Sequence, residues 1–363
     1  MKINSIILKN YRNIENLSLN FGDVNIIWGE NAQGKTNLLE AIYLFSGGKS
    51  FRGAKDKELI KFNENKSDLK LNFTNNDREQ TAQLIIDNRR HALLNDIKKK
   101  SASALGEEIK VVIFSPSHLS MIKDGPIQRR NFIDGALCQL KYNYRNLLKE
   151  YNKALLQRNI LLKDITKNSS LESMLYVWNN QLAKIGSKII YQRLKYIEAL
   201  TPYLVDIFDG ISSGREKIKI KYSSKIDYIS DIKDIEHKLN MQYIDNQGVD
   251  IINKITTIGP HRDDIEILIN GKSARSYGSQ GQQRSCVLAM KLAEASLLKE
   301  MTNNEPIALL DDVMSELDEK RQDYILNHIK NWQVFITCCD ANTILRLKEG
   351  KTFHIVNGQV VED

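Results

Sequence analysis

The chain has 363 residues, of which 42% are hydrophobic and 27% charged, so it can bury the core of one large domain or two moderate ones. It has no run of about 18 apolar residues, no secretory leader pattern and no zinc-ligand spacing, which argues against a membrane span, a secretion signal and a transition-metal site and predicts a cytoplasmic protein. A net charge of +7 favours contact with nucleic acid or an acidic membrane surface, although Lys, Asn and Ile are frequent throughout and a general compositional bias would give the same charge.

The N-terminal segment is predicted to form two short strands, a glycine-rich loop and a helix, in that order. Apolar residues alternate over positions 3 to 8, a second apolar run covers Val24 to Trp28, and a helix-like pattern runs from Lys35 to Phe45. Residues 69 to 97 alternate polar and apolar side chains around the turn-like TNND sequence, which predicts a hairpin. These strands indicate a β-rich lobe beside the glycine-rich loop.

The middle of the chain changes character and is predicted to be helical. From about residue 127 to Pro202, apolar residues recur at helical spacing. The KNSSLES sequence at residues 167 to 173 breaks this pattern and marks a turn, with Ser169 or Ser170 as the cap of the returning helix. The pattern predicts an antiparallel helical insert with arms of about 35 residues, or roughly 50 Å.

The last part of the chain is predicted to be an α/β domain. A strand-like IKIKY sequence at residues 218 to 222 is followed later by Asn270-Gly271, a strong two-residue hairpin signal. A helix, a strand, a helix, a strand and a closing hairpin then follow, at Gln282–Met301, Ile307–Leu310, Glu319–Ile329, Gln333–Cys338 and the FHIVNGQVVE sequence. This alternation is typical of an α/β layer.

The strongest chemical signal is a phosphate-binding loop between the first strands and the first helix. The GxxxxGK[ST] pattern is matched by Gly29, Glu30, Asn31, Ala32, Gln33, Gly34, Lys35 and Thr36. Lys35 is expected to reach the β- and γ-phosphates of ATP, and Thr36 to offer its hydroxyl to Mg²⁺. Arg12 and Asn13 precede a strand that leads into this loop and are further candidates for nucleotide contact; the alternative is a surface turn.

Two carboxylates follow a buried-strand pattern in the C-terminal part. Ile307 to Leu310 is apolar, and Asp311 and Asp312 stand at its carboxyl end, where α/β sheets bind ligands. Asp311 is predicted to hold Mg²⁺, directly or through water, and Asp312 to polarise the attacking water. The candidate catalytic residues are therefore Lys35, Asp311 and Asp312, and the alternative is that the two acids cap the next helix.

Two further elements sit at predicted helix starts. Ser279, Gln280, Gly281 and Gln282 lie where a helix begins, which is an anion-binding terminus. Asp318 ends an SELD sequence that directly follows the two aspartates. An ordinary helix cap is the preferred interpretation of the Ser279 element taken alone, and it is the alternative for Asp318.

Together the four elements, in this order, resemble the ABC ATPase superfamily. The resemblance implies that the third element is a signature sequence, whose Ser279 hydroxyl and Gly281 amide address the γ-phosphate bound by the opposite subunit. It also implies that the fourth is a D-loop, in which Asp318 senses the nucleotide of the facing subunit.

Longer stretches narrow the resemblance to the RecF family. These are LKNYRNI at 8–14, GENAQGKTN at 29–37, SFRG at 50–53, TIGPHRDD at 257–264, YGSQGQQRS at 277–285 and LLDDVMSELD at 309–318. The resemblance covers essentially the whole chain. It implies an α/β fold, namely an ABC/SMC-type P-loop ATPase head with a β-rich lobe and a RecA-like α/β lobe. We expect residues 1–115 and 206–363 to form the head and residues 116–205 an inserted antiparallel α-helical domain.

The same resemblance implies a role in recombinational repair. It predicts an ATP-dependent homodimer that binds DNA at single-strand gaps and junctions, helps RecA loading together with RecO and RecR, and hydrolyses ATP slowly. Basic residues of the helical insert and its base could neutralise DNA phosphates without reading bases; these candidates are Lys123, Arg129, Arg130, Lys141 and Arg145.

Some positions depart from the wider ABC pattern. Asp312 stands where transporters usually carry a glutamate, and the shorter side chain should activate water less well, which suits slow turnover. No switch histidine follows the last core strand, so Asp340 is only a candidate sensor of the γ-phosphate, and no Q-loop glutamine is identified in residues 114 to 118.

Three alternatives are weighed against the repair clamp. The helical insert is too short for a long-coil SMC ATPase, and the LKNYRN sequence and helical arms argue against the ATPase subunit of a membrane transporter. An ATP-gated assembly module with negligible hydrolysis stays open, and an Asp312→Asn variant would distinguish it from an enzyme.

Overall fold

The computed structural model of the protein describes residues 1–141, 143–227, 231–339 and 350–361. The chain divides into two compact units. The first unit comprises Met1–Ser120, Gly210–Gly214 and Gly281–Asp363, and the second comprises Met121–Asp209 and Arg215–Gln280. Within the described ranges, no helix is both long and apolar enough to cross a membrane.

An antiparallel sheet forms the N-terminal part of the first unit. Its strands are β1 (Lys2–Tyr11), β2 (Ile14–Asn20), β4 (Ser67–Asn75), β5 (Arg78–Ile86), β6 (Arg90–Leu94) and β7 (Ile97–Lys98), in the order β2-β1-β4-β5-β6-β7. The residues of β4 alternate strictly between buried and half-buried, as expected for a sheet with one face on the core. The predicted hairpin is β4–β5, and it turns at Asn76-Asp77, where both φ angles are positive.

A mostly parallel sheet forms the rest of the first unit. Its strands are β3 (Val24–Trp28), β8 (Val111–Phe114), β12 (Ile307–Asp311), β13 (Val334–Cys338) and β14 (Lys351–Val356), with antiparallel β15 (Gln359–Val361) at one edge. The strand order is β15-β14-β3-β13-β12-β8. Because β3, β13 and β12 are parallel neighbours, the loops at their carboxyl ends meet at one edge of the sheet.

Helix α1 packs against both sheets of the first unit. The helices of this unit are α1 (Lys35–Leu44), α2 (Pro116–Leu119), α9 (Gln280–Thr302) and α10 (Glu319–His328). One hydrophobic cluster includes Leu39 and Ile42 of α1, Leu71 of the antiparallel sheet, and Leu309 and Phe335 of the parallel sheet, all at 2% exposure or less. This shared core fixes the start of α1 relative to the ends of β12 and β13.

The second unit is mainly helical, with a small antiparallel sheet. Its elements are α3 (Pro126–Leu140), α4 (Tyr144–Ile165), α5 (Leu175–Ser212), β9 (Ile218–Ser223), α6 (Ile232–Asp245), α7 (Gln247–Asn253), β10 (Asp264–Ile269), β11 (Lys272–Ser273) and α8 (Ala274–Tyr277). The sheet order is β11-β10-β9, and β10 turns into β11 at the predicted Asn270-Gly271 pair.

The TIGPHRDD segment is the centre of a buried polar network in the second unit. Tyr151 of α4 bonds His261 Nδ1 at 2.8 Å, and the Arg193 guanidinium of α5 donates to the Pro260 carbonyl oxygen at 2.6 Å. The Tyr222 hydroxyl of β9 donates to Asp263 Oδ2 at 2.7 Å. This segment therefore joins helices α4 and α5 to β9, which is a structural role.

Two observations differ from the sequence-based expectations for the helical part. Residues 215–280 group with the helices rather than with the head, because β10 packs against α3 and the TIGPHRDD segment bonds α4 and α5. Helix α5 continues through Pro202 to Ser212 instead of ending near the proline. The predicted turn lies between α4 and α5, but its capping oxygen belongs to Asn168, which accepts from the Ser170 amide at 3.1 Å.

Candidate nucleotide-binding site

The glycine-rich loop of residues 29–36, the P-loop, leaves β3 and enters α1. Its backbone adopts left-handed conformations at Gly29, Ala32 and Gly34, with φ angles of 145°, 66° and 112°. A Cβ at Gly29 would lie 2.4 Å from the carbonyl oxygen of Ile355, so this position requires glycine. A loop of this kind that ends at a helix start presents backbone N–H groups to an anion.

The Lys35 side chain lies along the P-loop. Its ammonium donates to the carbonyl oxygens of Gly29 at 2.6 Å and Glu30 at 2.8 Å, and to the Cys339 Sγ at 3.3 Å. The Cys339 thiol donates in turn to Asn31 Oδ1 at 2.9 Å. Phosphates that enter the loop would therefore exchange these bonds for bonds to their own oxygens.

The two predicted carboxylates lie at the carboxyl end of β12, beside the P-loop. The Thr36 hydroxyl donates to Asp311 Oδ1 at 2.8 Å, although the two residues are 275 positions apart. The Thr337 hydroxyl donates to the same oxygen at 3.1 Å and accepts from the Asp312 amide at 2.9 Å. Burial raises the pKa of Asp311 above its usual range, and the bonds from Thr36 and Thr337 and the charge of Arg52 oppose that shift.

The P-loop is supported from outside by two short turns. Asn13 Nδ2 donates to the Gln33 carbonyl oxygen at 3.1 Å, and the Gly358 amide donates to it at 2.8 Å. The Asn357 amide donates to Gln33 Oε1 at 2.7 Å, and Asn13 Oδ1 accepts from Asn37 Nδ2 at 2.8 Å. Asn13 thus holds the loop in place, and the turn between β14 and β15 is a support that the sequence did not predict.

Arg12 is bound by a fully buried carboxylate. Its Nε and Nη2 atoms donate to the two oxygens of Glu40, each at 2.9 Å. The Tyr11 hydroxyl donates to Glu40 Oε2 at 3.0 Å, and the Ser50 hydroxyl also bonds this carboxylate. The Arg12 guanidinium therefore fastens the β1–β2 turn to α1, and its predicted contact with nucleotide stays a prediction.

An open cleft of about 910 Å³ lies in front of the P-loop. The predicted residues that line it are Arg12, Asn13, Asn31, Ala32, Gln33, Gly34, Lys35, Thr36 and Asp312. The lining found in the described residues does not include Gly281, Gln282 or Asp318. One wall also carries Arg52, whose guanidinium donates to Asn37 Oδ1 at 3.0 Å.

Two functional candidates were missed by sequence reasoning. Arg52 was noticed only as part of the SFRG motif, although its charge acts on Asp311. Thr337 lies near the end of a strand that was predicted correctly, and the parallel pairing of β12 with β13 brings it to Asp311. A polar residue near the end of a buried strand beside the aspartates is the signal that could have identified Thr337.

The D-loop aspartate and the beginning of α9 are tied together by an arginine. Asp318 caps α10 by accepting from the Arg321 amide at 3.0 Å, and it also pairs with the Arg321 guanidinium. That guanidinium donates to Ser285 Oγ at 2.9 Å and to the Gly281 carbonyl oxygen at 3.1 Å. Ser279, which precedes α9, is exposed.

One of the candidate DNA contacts, Arg129, is structural instead. Arg129 is 2% exposed, and its guanidinium donates to both oxygens of Asp264 at 2.8 Å. Arg130 donates to the carbonyl oxygen of Asp263. The prediction for Arg129 was wrong because its acidic partner lies far away in the sequence, whereas Arg130 is half-buried and its contact with DNA stays a prediction. Asp340, the candidate sensor, lies outside the described residues.

The donor set fits the predicted ligands. Thr36 and Asp311 offer two hard oxygen atoms, the ligand type that Mg²⁺ prefers. Lys35, the P-loop amides and the start of α1 offer positive charge and N–H donors, which is the chemistry that a triphosphate requires.

Comparison with known proteins shows the family of the chain. A family model described as the RecF/RecN/SMC N terminal domain matches residues 2–360. The chain is 43% identical over 365 residues to the DNA replication and repair protein RecF of Agathobacter rectalis, with 99% of each chain covered. It superposes on a RecF-ATP structure with a TM-score of 0.91 at 37% identity, covering 99% of this chain and 97% of that one. An SMC head bound to the C-winged helix domain of ScpA shares the fold, with a TM-score of 0.56 at 16% identity over 99% of this chain and 97% of the other.

Proposed function

The chain belongs to the RecF/RecN/SMC family and resembles RecF proteins over its whole length, and from this membership we propose that it is an ATP-dependent DNA clamp of replication and repair. In this proposal two copies close on ATP and bind DNA at single-strand gaps and junctions. The closed dimer helps RecA loading together with RecO and RecR. Slow hydrolysis of ATP then opens the dimer.

The observation that carries the proposal is the meeting of Lys35, Thr36 and Asp312 at one cleft, with the buried Asp311 carboxylate bonded to Thr36 behind them. A triphosphate bound by the P-loop amides would place its β- and γ-phosphates at the Lys35 ammonium. Thr36 and Asp311 would hold Mg²⁺, which would supply positive charge to the phosphate oxygens. Asp312 would orient and polarise the attacking water, and Arg52 would add positive charge from the same chain.

Exposure of the signature residues supports a two-copy arrangement. Ser279 and Gln280 are exposed, and they stand at the start of a helix of 23 residues whose N-terminal end attracts anions. Gly281, Gln282 and Asp318 do not line the cleft described above. A second copy would bring its own signature residues to the γ-phosphate and so complete the site.

Binding to DNA is supported by charge and by family membership. The net charge of +7 favours a polyanion. Of the basic candidates, Lys123 and Lys141 are exposed and can reach a phosphate backbone. No motif for reading base sequence was found, so we expect contacts to backbone rather than to bases.

A second candidate function is an assembly module in which ATP binds and is not hydrolysed. It is favoured by Asp312, whose carboxylate is one methylene shorter than a glutamate and whose backbone has a φ of 52°. An Asp312→Asn variant separates the two functions. If the protein is an ATPase, the variant loses turnover and keeps an ATP-held dimer; if it is only a module, turnover is negligible before and after the change.

The proposal is tested by the solution mass of the protein with ATP, ADP or no nucleotide, each with and without a gapped duplex. We expect a dimer only with ATP, and a larger dimer fraction with the duplex. A monomer under all conditions would refute the composite site. If the dimer fraction with ATP did not change on adding the duplex, the repair clamp would be excluded and an ATP-gated assembly would be favoured.

Two substitutions test which residues are needed for ATP binding and which for dimerisation. Lys35→Ala should abolish ATP binding and dimerisation, because it removes the contact with the β- and γ-phosphates. Ser279→Arg should leave ATP binding to the monomer unchanged and block the dimer, since the signature would act on the other copy. Ser18→Arg is the matched control, because Ser18 is also exposed but lies on β2; it should dimerise normally.

A further inference from the structure

A highly exposed aromatic side chain lines the cleft in front of the P-loop. Phe62 is 87% exposed, although burying a phenylalanine stabilises a fold by about 2 kcal/mol. It lines the same cleft as Lys35 and Thr36. None of the roles assigned so far to the P-loop, the two aspartates or Arg52 uses this ring.

The backbone around Phe62 is held firmly in place. The Arg12 amide donates to the Leu59 carbonyl oxygen at 3.0 Å, and the Lys61 amide donates to the Asn10 carbonyl oxygen at 2.9 Å. These two bonds form a short antiparallel bridge beside the end of β1. The residue that precedes Phe62 is thus fixed to the strand end that also carries Arg12.

A tight turn completes this support. The Glu64 amide donates to the Lys61 carbonyl oxygen at 3.0 Å, and Asn63 has a φ of 67°, a conformation that asparagine tolerates. The Lys61 ammonium pairs with Glu15 at 2.5 Å on the neighbouring strand. The turn therefore presents the ring of Phe62 to the cleft from a rigid base, which lowers the entropy lost when a ligand binds it.

The wall around Phe62 differs chemically from the phosphate end of the cleft. Asn63, Asn65 and Asn88 line the cleft together with Phe62. Their side-chain amides can donate and accept hydrogen bonds, as the edge of a purine requires. Exposed aromatic side chains are surfaces on which proteins stack nucleobases.

We propose that Phe62 stacks on the base of the bound nucleotide and that the neighbouring asparagine amides select the base. This inference rests on the proposed ATP site and names its base subsite. The volume of about 910 Å³ lies within the range of small-molecule sites, so it can hold base, ribose and phosphates together. The ring lines the same cleft as Lys35 and Thr36, which favours the bound nucleotide over a second copy of the chain or a DNA base.

The test compares the binding of ATP, GTP and inorganic tripolyphosphate by calorimetry to the whole protein and to two variants. Phe62→Ala should raise the Kd for ATP about five- to 150-fold, since stacking on an aromatic ring is worth about 1–3 kcal/mol per base. Its Kd for tripolyphosphate should not change, because the phosphate end is intact. Phe62→Trp should bind ATP normally, and its added fluorescence, relative to the parent protein, should be quenched by ATP and not by tripolyphosphate.

Ile97→Ala is the matched control. Ile97 is also an exposed apolar residue of the first unit, 66% exposed, and it does not line the cleft. Its removal should leave all three affinities unchanged.

Several results would overturn the base subsite. An unchanged ATP affinity in Phe62→Ala, while the parent protein binds ATP, would exclude stacking. An equal loss for tripolyphosphate would mean that the substitution disturbs the loop as a whole. Unchanged ATP affinity with a lost dimer would assign the ring to a second copy. If the parent protein bound neither ATP nor tripolyphosphate, the proposed function itself would fail, and this inference with it.

Discussion

Replacing Thr337 by valine is the sharpest test of how the carboxylates are held. Valine keeps the shape of the side chain and removes two bonds, one to Asp311 Oδ1 at 3.1 Å and one from the Asp312 amide at 2.9 Å. A bond to a charged group is worth about 1.5–3 kcal/mol, so a loss of about 2 kcal/mol in the transition state would lower kcat about 30-fold. The KM for ATP should change little, because Lys35 and the P-loop are untouched.

The Thr337→Val variant should also change the pH dependence of the ATPase rate. The bond from Thr337 lowers the pKa of Asp311, so its loss should raise that pKa and move the acidic limb of the rate profile to higher pH. Thr337→Ser should restore both bonds and the normal profile. Thr302→Val, which removes a hydroxyl bonded to the Leu298 carbonyl oxygen, is the control for the loss of a threonine hydroxyl elsewhere. Steady-state ATPase rates from pH 5 to 9 would refute the reasoning if valine and serine variants behaved alike.

Three further predictions concern stability and coupling. Glu40→Gln should lower the free energy of unfolding by about 3 kcal/mol in urea, because it leaves Arg12 without its buried partner, whereas Glu15→Gln at an exposed pair should cost less than about 1 kcal/mol. Burial raises the pKa of Asp263 to about 6, so its stabilising contribution is present below pH 4 and is lost as the pH rises through 6. Asp263→Asn should therefore gain about 2 kcal/mol relative to the parent between pH 4 and 6, and a constant difference would contradict this. Arg321 bonds both Asp318 and Gly281, so Arg321→Lys should uncouple the two ATP sites of the proposed dimer. The Kd of the monomer for ATP should stay unchanged, and any sigmoidal dependence of turnover on ATP concentration should disappear. A sigmoidal curve that persisted would count against coupling of the two sites through Arg321.

Local patterns predicted most of the elements correctly. The pair Asn270-Gly271 forms its hairpin turn with positive φ at both residues, and Asn357-Gly358 does the same in the closing hairpin. The P-loop lies between strand and helix as its motif requires. These features depend on residues that are neighbours in the sequence, so their chemistry can be recognised before folding is known.

Contacts between distant residues explain what the sequence did not predict. Arg129 looked like a surface charge because Asp264, its partner, is 135 positions away. Thr337 reaches Asp311 only after β12 and β13 have paired, and Arg52, 259 positions before Asp311, acts on it only across the folded site. Phe62 follows no periodic pattern, and only the bridge to the end of β1 places its ring in the cleft. The partners of such side chains can be identified only when the order of the strands in the sheet is known.

The ion pair and hydrogen bonds of Arg321 suggest how the two ATP sites of the proposed dimer could be coupled. In the proposed dimer the signature residues of one copy face the γ-phosphate of the other, and Asp318 lies near the same interface. Within one chain, Arg321 bonds both Asp318 and the Gly281 carbonyl oxygen at the start of α9. Arg284 of α9 also pairs with Glu316, at 2.7 Å. Because two arginines connect residues 316 and 318 to the start of α9, we expect that a nucleotide that shifts one element would shift the other, and that hydrolysis at one site of the proposed dimer would alter the second.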